Sequence, residues 1–436
     1  MGVTINNKTS FNGIEFLQQP FVVELSSINT SQEKFRFIID VYVNTTVPTV
    51  GQESGRVVQI KQQKNEANTA NIDIARVLRS YVKPRFTDAS DNPIHEIGQA
   101  VNGGETAAYI YLNCYEEYAT TAADEPTERT GNSDNTDFFI TNSVHQFTEG
   151  MFPTTATYQV TSSSSSSVPV KMLTDAPKTQ SIATDEYATI AFYNTDLDNV
   201  SGDFEMIITY FDSAGTQIGT AKTLKVVTNL SGDAPITSIA NNSQDDAIQF
   251  LPVGYANLEK LATTTARPSN AGDTVASYTI QVNNGQTINF QTYTFNVVDR
   301  CRFTPRRIAF LNRYGVWDYY TFELKSQEKL SNIERKTIRR PYGTWNADGY
   351  DYGQHERGLD VFNIEADVEW TLRSDWLEDN EFVWLKQLLM SKEVFMYLDG
   401  IWQPVIITSN SYDIKRTQVT KLSNLEISCK LAHKYR

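Results

Sequence analysis

Residues 359–372, LDVFNIEADVEWTL, place an apolar side chain at every second position. The members of this row are Phe362, Ile364, Ala366, Val368, Trp370 and Leu372. A period of two is typical of a β-strand with one apolar face, and residues 35–43 repeat it near the start of the chain. Thr, Asn, Ser, Tyr and Phe are abundant, and these residues favour strands and turns. The sequence therefore predicts a mainly β fold.

The length of 436 residues exceeds what one hydrophobic core holds, so several domains are expected. We predict an N-terminal β-rich domain over residues 1–160, a serine-rich linker over 161–170, a β-sandwich over 171–300 and an α+β domain over 301–436. The linker prediction depends on six consecutive serines at 162–167, with an extended loop pinned against a neighbour as the alternative. The sandwich prediction depends on strand-like segments separated by turn signals such as Asp212-Ser-Ala-Gly215.

The N-terminal domain is expected to contain one short helix and one long loop. The helix is predicted over residues 71–82, NIDIARVLRSYV, with its apolar residues on one face and Asn71 as the N-cap. Residues 116–137 are acidic and rich in turn formers, and we predict a long exposed loop there.

The last third of the chain has a mixed α+β order. After the alternating strand, residues 374–391 predict a helix whose start at Asp375 and Glu378 resembles a capping box. Asp399-Gly400 predicts a two-residue hairpin between the strands EVFMYL and IWQPVII, and the chain closes on a further strand. The order strand, helix, hairpin, strand indicates an α+β module.

The segment 307–324, RIAFLNRYGVWDYYTFEL, is rich in aromatic side chains. Alternation on either side of Tyr314-Gly315 predicts a hairpin with aromatic rings on both faces, one facing the core and one covered by another domain or subunit. These rings are interpreted as structural. The hairpin lies in a basic cluster, because eleven Lys and Arg residues fall between Arg300 and Arg340.

The basic cluster stands out in a chain whose net charge is −14. That net charge argues against sequence-specific nucleic-acid binding, which needs excess Lys and Arg. The cluster predicts contact with DNA or with an acidic neighbour, and a solvated strand face is the alternative. The net charge favours an acidic protein partner, which residues 116–137 of an identical subunit would supply. The candidate subunit-interface residues are Arg306, Arg307, Arg313, Trp317, Tyr319, Tyr320, Arg339 and Arg340.

Signs of catalysis are missing from the sequence, and we predict that the protein is not an enzyme and uses no cofactor or metal. The four histidines lack the spacing of metal ligands, and no nucleophile elbow, phosphate loop or dinucleotide fingerprint is present. Glu116 and Glu117 are adjacent, so a strand would point them to opposite faces. Residues 346–351, NADGYD, have the oxygen-rich composition of a calcium loop without its spacing, and a turn is the prediction.

Cysteine usage and hydropathy give further expectations. Cys114, Cys301 and Cys429 are widely spaced and are expected to be buried thiols rather than a disulfide framework. The start of the sequence lacks the pattern of a signal peptide, and no apolar run is long enough to span a membrane.

Three blocks of the sequence resemble a family of known proteins. They are FLNRYGVWDYYTF, IDIARVLRSYV and the closing run SDWL…FVWLKQLLMSKEVFMYLDGIWQPVIIT…LSNLEISCKLAHKYR. In their order along the chain, which begins with IDIARVLRSYV, these blocks are similar to tail structural proteins of tailed bacteriophages, notably those that infect Bacteroidetes hosts, and of related prophages. The C-terminal order of elements is also similar to the split-barrel-plus-helix modules of tail tubes, distal tail rings and hub proteins.

The resemblance implies a virion structural protein that forms an oligomeric ring in the tail, neck or baseplate and is assembled in the host cytoplasm. Its expected partners are copies of itself and other tail proteins, with DNA able to pass through the assembly. The alternatives are a receptor- or glycan-binding adhesin, suggested by the predicted sandwich and the surplus of Tyr and Asn, and a head-decoration protein. A glycan-degrading enzyme would need a carboxylate pair across a cleft, and the sequence offers no such pair.

Overall fold

The structure is a computed structural model. It describes residues 2–8, 14–43, 55–88, 91–144, 171–193, 204–227, 248–283, 291–300, 302–339, 341–356, 358–409 and 424–435. Strands make up 52% and helices 11% of the structure, which confirms the prediction of a β-rich fold with few helices. The predicted linker at 161–170 lies outside the described residues.

The chain divides into two compact units. The first comprises Met1–Asp299 with Leu311–Asp318, and the second comprises Arg300–Phe310 with Tyr319–Arg436. The predicted boundary at 300/301 lies next to the end of the first unit, whereas the predicted domains 1–160 and 171–300 belong to one unit.

The strands of the first unit come first in chain order. They are β1 Val3–Lys8, β2 Ile14–Phe16, β3 Val22–Ser27, β4 Glu33–Val43, β5 Arg56–Gln62, β6 Thr69–Asp73, β7 Val101–Asn102, β8 Ala107–Ala119, β9 Thr127–Thr141, β10 Thr179–Ile182, β11 Thr189–Tyr193, β12 Phe204–Phe211, β13 Lys222–Val227, β14 Ile248–Pro252, β15 Ser277–Asn283 and β16 Tyr293–Val297. Its helices are α1 Ala75–Leu78 and α2 Tyr255–Leu258, with short 3-10 turns at Arg79–Tyr81, Ile94–Glu96, Gly104–Thr106, Thr264–Ala266 and Pro268–Asn270.

Two sheets enclose the N-terminal core. One has the strand order β1-β3-β6 and the other β2-β9-β8-β4-β5. Side chains from both sheets and from α1 form one buried cluster that includes Leu25, Phe37, Ile72, Leu78 and Leu112. The alternation predicted for residues 35–43 is confirmed, because Phe35, Phe37, Ile39, Val41 and Val43 all lie in this cluster.

The predicted helix at 71–82 is shorter than expected, and its predicted N-cap is wrong. Asn71 lies in β6, where it pairs with Glu24 of β3. Strand pairing continues to Asp73, whose carboxylate accepts the Ala75 N–H at 3.0 Å as the helix begins. The sheet therefore takes three residues that the helical periodicity assigned to the helix.

The predicted acidic loop at 116–137 is also wrong. β8 extends to Ala119 and β9 begins at Thr127, and the two strands pair on both sides of an irregularity between Cys114 and Glu116. The polar composition of the segment suggested an exposed loop. Its polar side chains instead have hydrogen-bond and ion-pair partners in the sheet and in neighbouring strands, so the segment pairs as strands. Only residues 120–126 form the connection.

The remaining strands of the first unit form two more sheets, with the orders β10-β16-β15-β12-β13 and β11-β14-β7. β7 comes from the predicted N-terminal domain but pairs with β14. The buried Asn257 reinforces this junction, because its amide donates to the carbonyl oxygens of His95 and Ile97 at 2.9 and 2.8 Å. Its own oxygen accepts the Ala188 N–H at 2.7 Å.

The second unit contains the remaining elements, except that Leu311, Trp317 and Asp318 belong to the first unit. These elements are β17 Arg306–Leu311, β18 Trp317–Phe322, β19 Gln327–Arg339, β20 Thr344–Asn346, β21 Gly349–Asp351, β22 Leu359–Arg373, α3 Asp379–Met390, β23 Val394–Leu398, β24 Ile401–Ile407 and β25 Glu426–Leu431. Its main sheet has the order β18-β17-β23-β24-β25-β22-β19, and β20 pairs with β21. The predicted order strand, helix, hairpin, strand is confirmed by β22, α3, β23–β24 and β25.

Two local predictions in this unit have different outcomes. The Asp399-Gly400 hairpin is confirmed, with φ values of +51° and +84° at the two turn residues and Leu398 paired with Ile401. The start of α3 is one turn later than predicted. Its capping box is formed by Glu378 and Glu381 rather than by Asp375 and Glu378.

Candidate assembly surface

The aromatic hairpin β17–β18 is buried on both faces within this chain. Trp317 is 1% exposed, and its indole N–H donates to the carbonyl oxygen of Arg85 at 2.8 Å. Tyr319 is buried with its ring edge-on to Trp402 at 6.2 Å, and Tyr320 packs on Trp384 at 6.1 Å. The interpretation of these rings as structural is confirmed. Trp317 and Tyr319 are buried and offer no surface to a neighbour, whereas Tyr320 is partly exposed and stays an interface candidate.

The turn of this hairpin forms at Tyr314-Gly315 as predicted. The Asn312 side chain accepts the backbone N–H groups of Tyr314 and Val316 at 2.9 and 3.3 Å. Gly315 has a φ of +79°, and a Cβ there would lie 2.9 Å from the carbonyl oxygen of Asn142. Glycine is required here for both reasons.

The arginines of the hairpin also hold the chain together internally. Arg313 forms an ion pair with Asp175, in which Nη2 of the guanidinium donates to Oδ1 of the carboxylate at 3.1 Å. Arg307 donates to the Thr321 hydroxyl at 2.8 Å. The guanidinium of Arg306 lies 4.4 Å from the centre of the Trp370 ring. All three arginines therefore make contacts inside the subunit. Arg307 is buried, whereas Arg306 and Arg313 are partly exposed, and their place at an interface stays a prediction.

The other two predicted interface residues are Arg339 and Arg340. Arg339 is exposed on β19, so it stays a candidate, whereas Arg340 lies outside the described residues.

The carboxylates of the predicted acidic loop have partners in the same chain. Glu117 is buried between Lys61 at 2.5 Å and Arg36 at 3.3 Å. Glu116 points to the other face, where it accepts hydrogen bonds from Ser27, Asn29 and Asn132. The prediction that they point to opposite faces is confirmed. Glu117 is already paired with two cations and Glu116 already accepts three hydrogen bonds, so these two carboxylates form a poor docking site for the basic cluster of another copy.

A carboxylate pair on the sheet β2-β9-β8-β4-β5 also has internal partners. The Tyr115 hydroxyl lies 2.9 Å from Asp40 and 3.1 Å from Glu128, and burial together with Asp40 raises the pKa of that hydroxyl. Arg56 lies 3.2 Å from Asp40, and Lys61 lies 3.0 Å from Glu128.

Lys61 and Glu128 hold each other in their ionised states. Burial alone would raise the pKa of Glu128, but hydrogen bonds from Lys61 and Tyr115 outweigh it and lower that pKa. The pKa of Lys61 is raised by its bond to Glu117. A network in which each carboxylate faces a cation stabilises a sheet, whereas acid–base chemistry needs two pKa values driven apart.

A cleft of about 350 Å³ in the first unit is lined by Asp88, Asn92, Glu96, Gln99 and Lys260, among others. Lys260 lies 3.1 Å from the Glu96 carboxylate, so the opposite charges in the cleft pair with each other. Within the described part of the chain, no group of three or more His, Cys, Asp or Glu side chains is placed to hold a metal ion. No helix among those residues is long and apolar enough to cross a membrane.

Two of the three cysteines are buried free thiols, as predicted. Burial raises the pKa of the Cys114 thiol, and it raises that of Cys429 to about 12. Both are therefore protonated and unreactive near neutral pH. Cys301 lies outside the described residues.

The largest unexplained surface is a long ribbon in the second unit, which we call the arm and define as residues 333–364. It consists of the outer halves of β19 and β22 together with β20 and β21. The row of apolar residues on β22 is buried from Ala366 to Leu372 but exposed at Ile364 and Phe362. Beyond a register shift opposite Lys336 and Thr337, Val361 and Leu359 are exposed as well. The apolar face of β22 thus continues past the part of the strand that is buried in the core.

Cross-strand pairing shows what lies beside that exposed row. Arg335 pairs with Ile364, Thr337 with Val361 and Arg339 with Leu359. Directly opposite residues share one face of a sheet, so this face carries an apolar column on β22 and basic side chains on β19. Exposed Lys and Arg on an edge strand also oppose non-specific pairing with other strands.

The tip of the arm is aromatic. Trp345 is 81% exposed, and Tyr342, Tyr350 and Tyr352 are exposed beside it. Tyr350 lies 5.4 Å from Trp345, and Tyr352 lies 5.5 Å from Tyr342. The predicted turn at 346–351 joins β20 to β21, with the Asn346 side chain accepting the Asp348 N–H at 2.9 Å.

The sequence missed the arm as a functional surface. The alternation of the buried half continues to Ile364 and Phe362 and then shifts by one residue at Val361, so the pattern predicts the strand but not what covers it. The only available signal was the coincidence of aromatic residues at 342–352 with the basic run at 335–340.

We expect the buried His95 to make the first unit sensitive to acid. Its ring lies edge-on to Trp317 at 5.0 Å, and complete burial lowers its pKa from 6.5 to about 3. The unfolded chain binds a proton on this imidazole below pH 6.5, whereas the folded chain binds it only near pH 3, so stability falls as the pH drops through that window. At pH 5 the loss amounts to about 2 kcal/mol.

This prediction is checked by urea unfolding of wild type and His95→Leu at pH 7.5 and pH 5. The variant should lose about 2 kcal/mol less between the two pH values than the wild type. Equal pH dependence in both proteins would contradict the assignment, whatever the stability of the variant at pH 7.5.

No protein-family model matches this chain, and no curated protein matches it.

Proposed function

We propose that this chain is a structural subunit of a tailed-bacteriophage virion that assembles into a ring in the tail, neck or baseplate. Its role is to bury surface against copies of itself and against other tail proteins. The arm of the second unit is the observation that carries the proposal. The resemblance of three sequence blocks to phage tail proteins gives the proposed setting, in a virion assembled in the host cytoplasm.

The exposed apolar surface of the arm supports an assembly role. The four aromatic residues at its tip are 45–81% exposed, which at roughly 200 Å² per ring leaves on the order of 450 Å² uncovered. The largest apolar patch on a typical monomer is roughly 300–600 Å². The rings alone reach that range before the column on β22 is added, so a covering partner is favoured.

The isolated geometry of the arm supports the same role. A two-stranded ribbon without a packed face is only marginally stable in water. The strands β19 and β22 nevertheless stay paired out to Arg339 and Leu359, well past the buried part of the sheet. A ribbon of this kind is stabilised when a neighbour covers it.

The internal pairing of charged groups supports assembly over catalysis. The charged groups that could take part in chemistry already contact other side chains of the chain. Asp40 and Glu128 contact Tyr115, Glu116 and Glu117 have partners of their own, and the carboxylate of Glu96 in the cleft contacts Lys260. Each of these contacts stabilises the first unit, in which all of these groups lie. A chain with internally paired charges and an exposed arm suits a particle component whose function is to hold its place.

The aromatic tip favours one other candidate, a glycan-binding adhesin. Trp345 and Tyr350 present an exposed pair of rings, and flat aromatic faces bind sugars by stacking. On this account the protein would act as a monomer that binds carbohydrate through Trp345.

Sedimentation of the purified chain over a range of concentrations separates the two accounts. A structural ring subunit should form multimers of defined mass, because its arm is covered by another copy. A monomer at every concentration that binds immobilised glycans, and loses that binding in Trp345→Ala, would favour the adhesin. The matched control is Trp376→Ala, which removes an exposed tryptophan from a different surface of the same unit.

A further inference from the structure

Resting on the proposed ring assembly, we infer that the basic and apolar face of the arm docks on the outer face of α3 in a second copy of this chain. The arm face is defined by Leu359, Val361 and Ile364 with Arg335 and Arg339 opposite. Both surfaces expose apolar side chains, and their charged side chains have opposite signs where the arm meets the start of α3.

The receiving surface lies on the solvent side of α3. Val383 and Met390 are exposed and seven residues apart, which puts them on one side of the helix two turns from each other. Trp376, just before the helix, is 63% exposed. Asp375, Glu378 and Asp379 are exposed around the start of the helix. Asn380 and Lys386 are also exposed on this side, so the outer face of α3 carries Val383 and Met390 on either side of Lys386 and is acidic at the start of the helix.

The two surfaces are complementary. The arm face combines an apolar column with Arg335 and Arg339, and the α3 face combines apolar side chains with carboxylates. Oppositely charged patches guide and orient an encounter, and the apolar parts then lose contact with water. In a chain of net charge −14, two copies repel unless such a local basic patch meets an acidic one.

The second copy is favoured as occupant because both surfaces are exposed in the single chain. Neither therefore covers the other within one subunit. The contact joins two different patches and is heterologous, so each copy offers one arm and one α3 face. Repeated contacts of this type generate a ring when the rotation between copies closes.

Charge reversal on one surface at a time tests the inference. R335E/R339E makes the arm face acidic, so that it repels the acidic α3 face of every other copy. D375K/D379K makes the α3 face basic, so that it repels the basic arm. By sedimentation each double variant should be monomeric under conditions where the wild type forms multimers.

Mixing the two variants is the decisive step. The acidic arm of R335E/R339E fits the basic α3 face of D375K/D379K. The unaltered basic arm of D375K/D379K fits the unaltered acidic α3 face of R335E/R339E. An equimolar mixture should therefore form multimers although each component alone does not. Misfolded proteins would not regain assembly in this way, so recovery in the mixture also shows that both variants are folded.

The matched control is K329E/K336E, which reverses two exposed charges on the opposite face of the same ribbon. It should assemble like the wild type. A mixture that stays monomeric while the wild type assembles would overturn the docking inference and leave the proposed function standing. A wild type that does not assemble at all would instead contradict the proposed function.

Discussion

Trp317→Ala should destabilise the first unit by about 3–5 kcal/mol, which is typical of truncating a fully buried tryptophan. The side chain is 1% exposed and contacts the His95 ring edge-on, so its removal leaves a cavity beside an equally buried neighbour. The carbonyl oxygen of Arg85 also loses the indole N–H that donates to it at 2.8 Å. A buried acceptor without a partner adds about 1–3 kcal/mol of desolvation cost, part of which is included in that range.

Urea unfolding followed by circular dichroism measures this loss, and Trp345→Ala is the matched control. Trp345 is 81% exposed at the arm tip, so its replacement should change stability by less than about 0.5 kcal/mol. Similar unfolding midpoints for Trp317→Ala and Trp345→Ala would show that the hairpin is not the structural element described above.

Removing the arm should abolish assembly and leave the subunit folded. Residues 335–364 are replaced by an Asn-Gly turn, which joins Glu334 to Glu365, a directly opposed pair on β19 and β22. The deletion leaves the ion pairs of Lys434 with Glu334 and Glu365 and the buried row from Ala366 to Leu372 in place. Because the deleted apolar residues are exposed, the loss of hydrophobic stabilisation in the monomer is small.

Sedimentation and thermal unfolding of the shortened chain are measured together. The expected result is a monomer whose unfolding temperature is within a few degrees of the wild type. Multimers of unchanged mass would mean that subunits join through another surface. A large drop in unfolding temperature would mean that the arm supports its own subunit instead of a neighbour.

Local predictions succeeded where neighbours in sequence determine the geometry. Asp399-Gly400 specifies its turn by the two positive φ values that it tolerates, and residues 35–43 specify a strand by their alternation. The hairpin at Tyr314-Gly315 follows from the same kind of local signal.

Predictions failed where distant residues decide the outcome. The pairing of β7 with β14 joins residues about 150 positions apart, and no local pattern announces it. The polar segment 116–137 is a strand because Arg36, Lys61 and Ser27 satisfy its carboxylates. The buried members of the predicted subunit interface were misplaced for a related reason, since exposure depends on the whole fold and aromatic or basic character alone does not reveal it.

The central claim is that copies of this chain form a closed ring. Electron microscopy of the purified multimers tests it most directly. Our account predicts rings of uniform diameter with a central opening, and it predicts that these rings disappear when residues 335–364 are replaced. Monodisperse single subunits at every concentration, or open aggregates of no fixed size that persist without the arm, would contradict it.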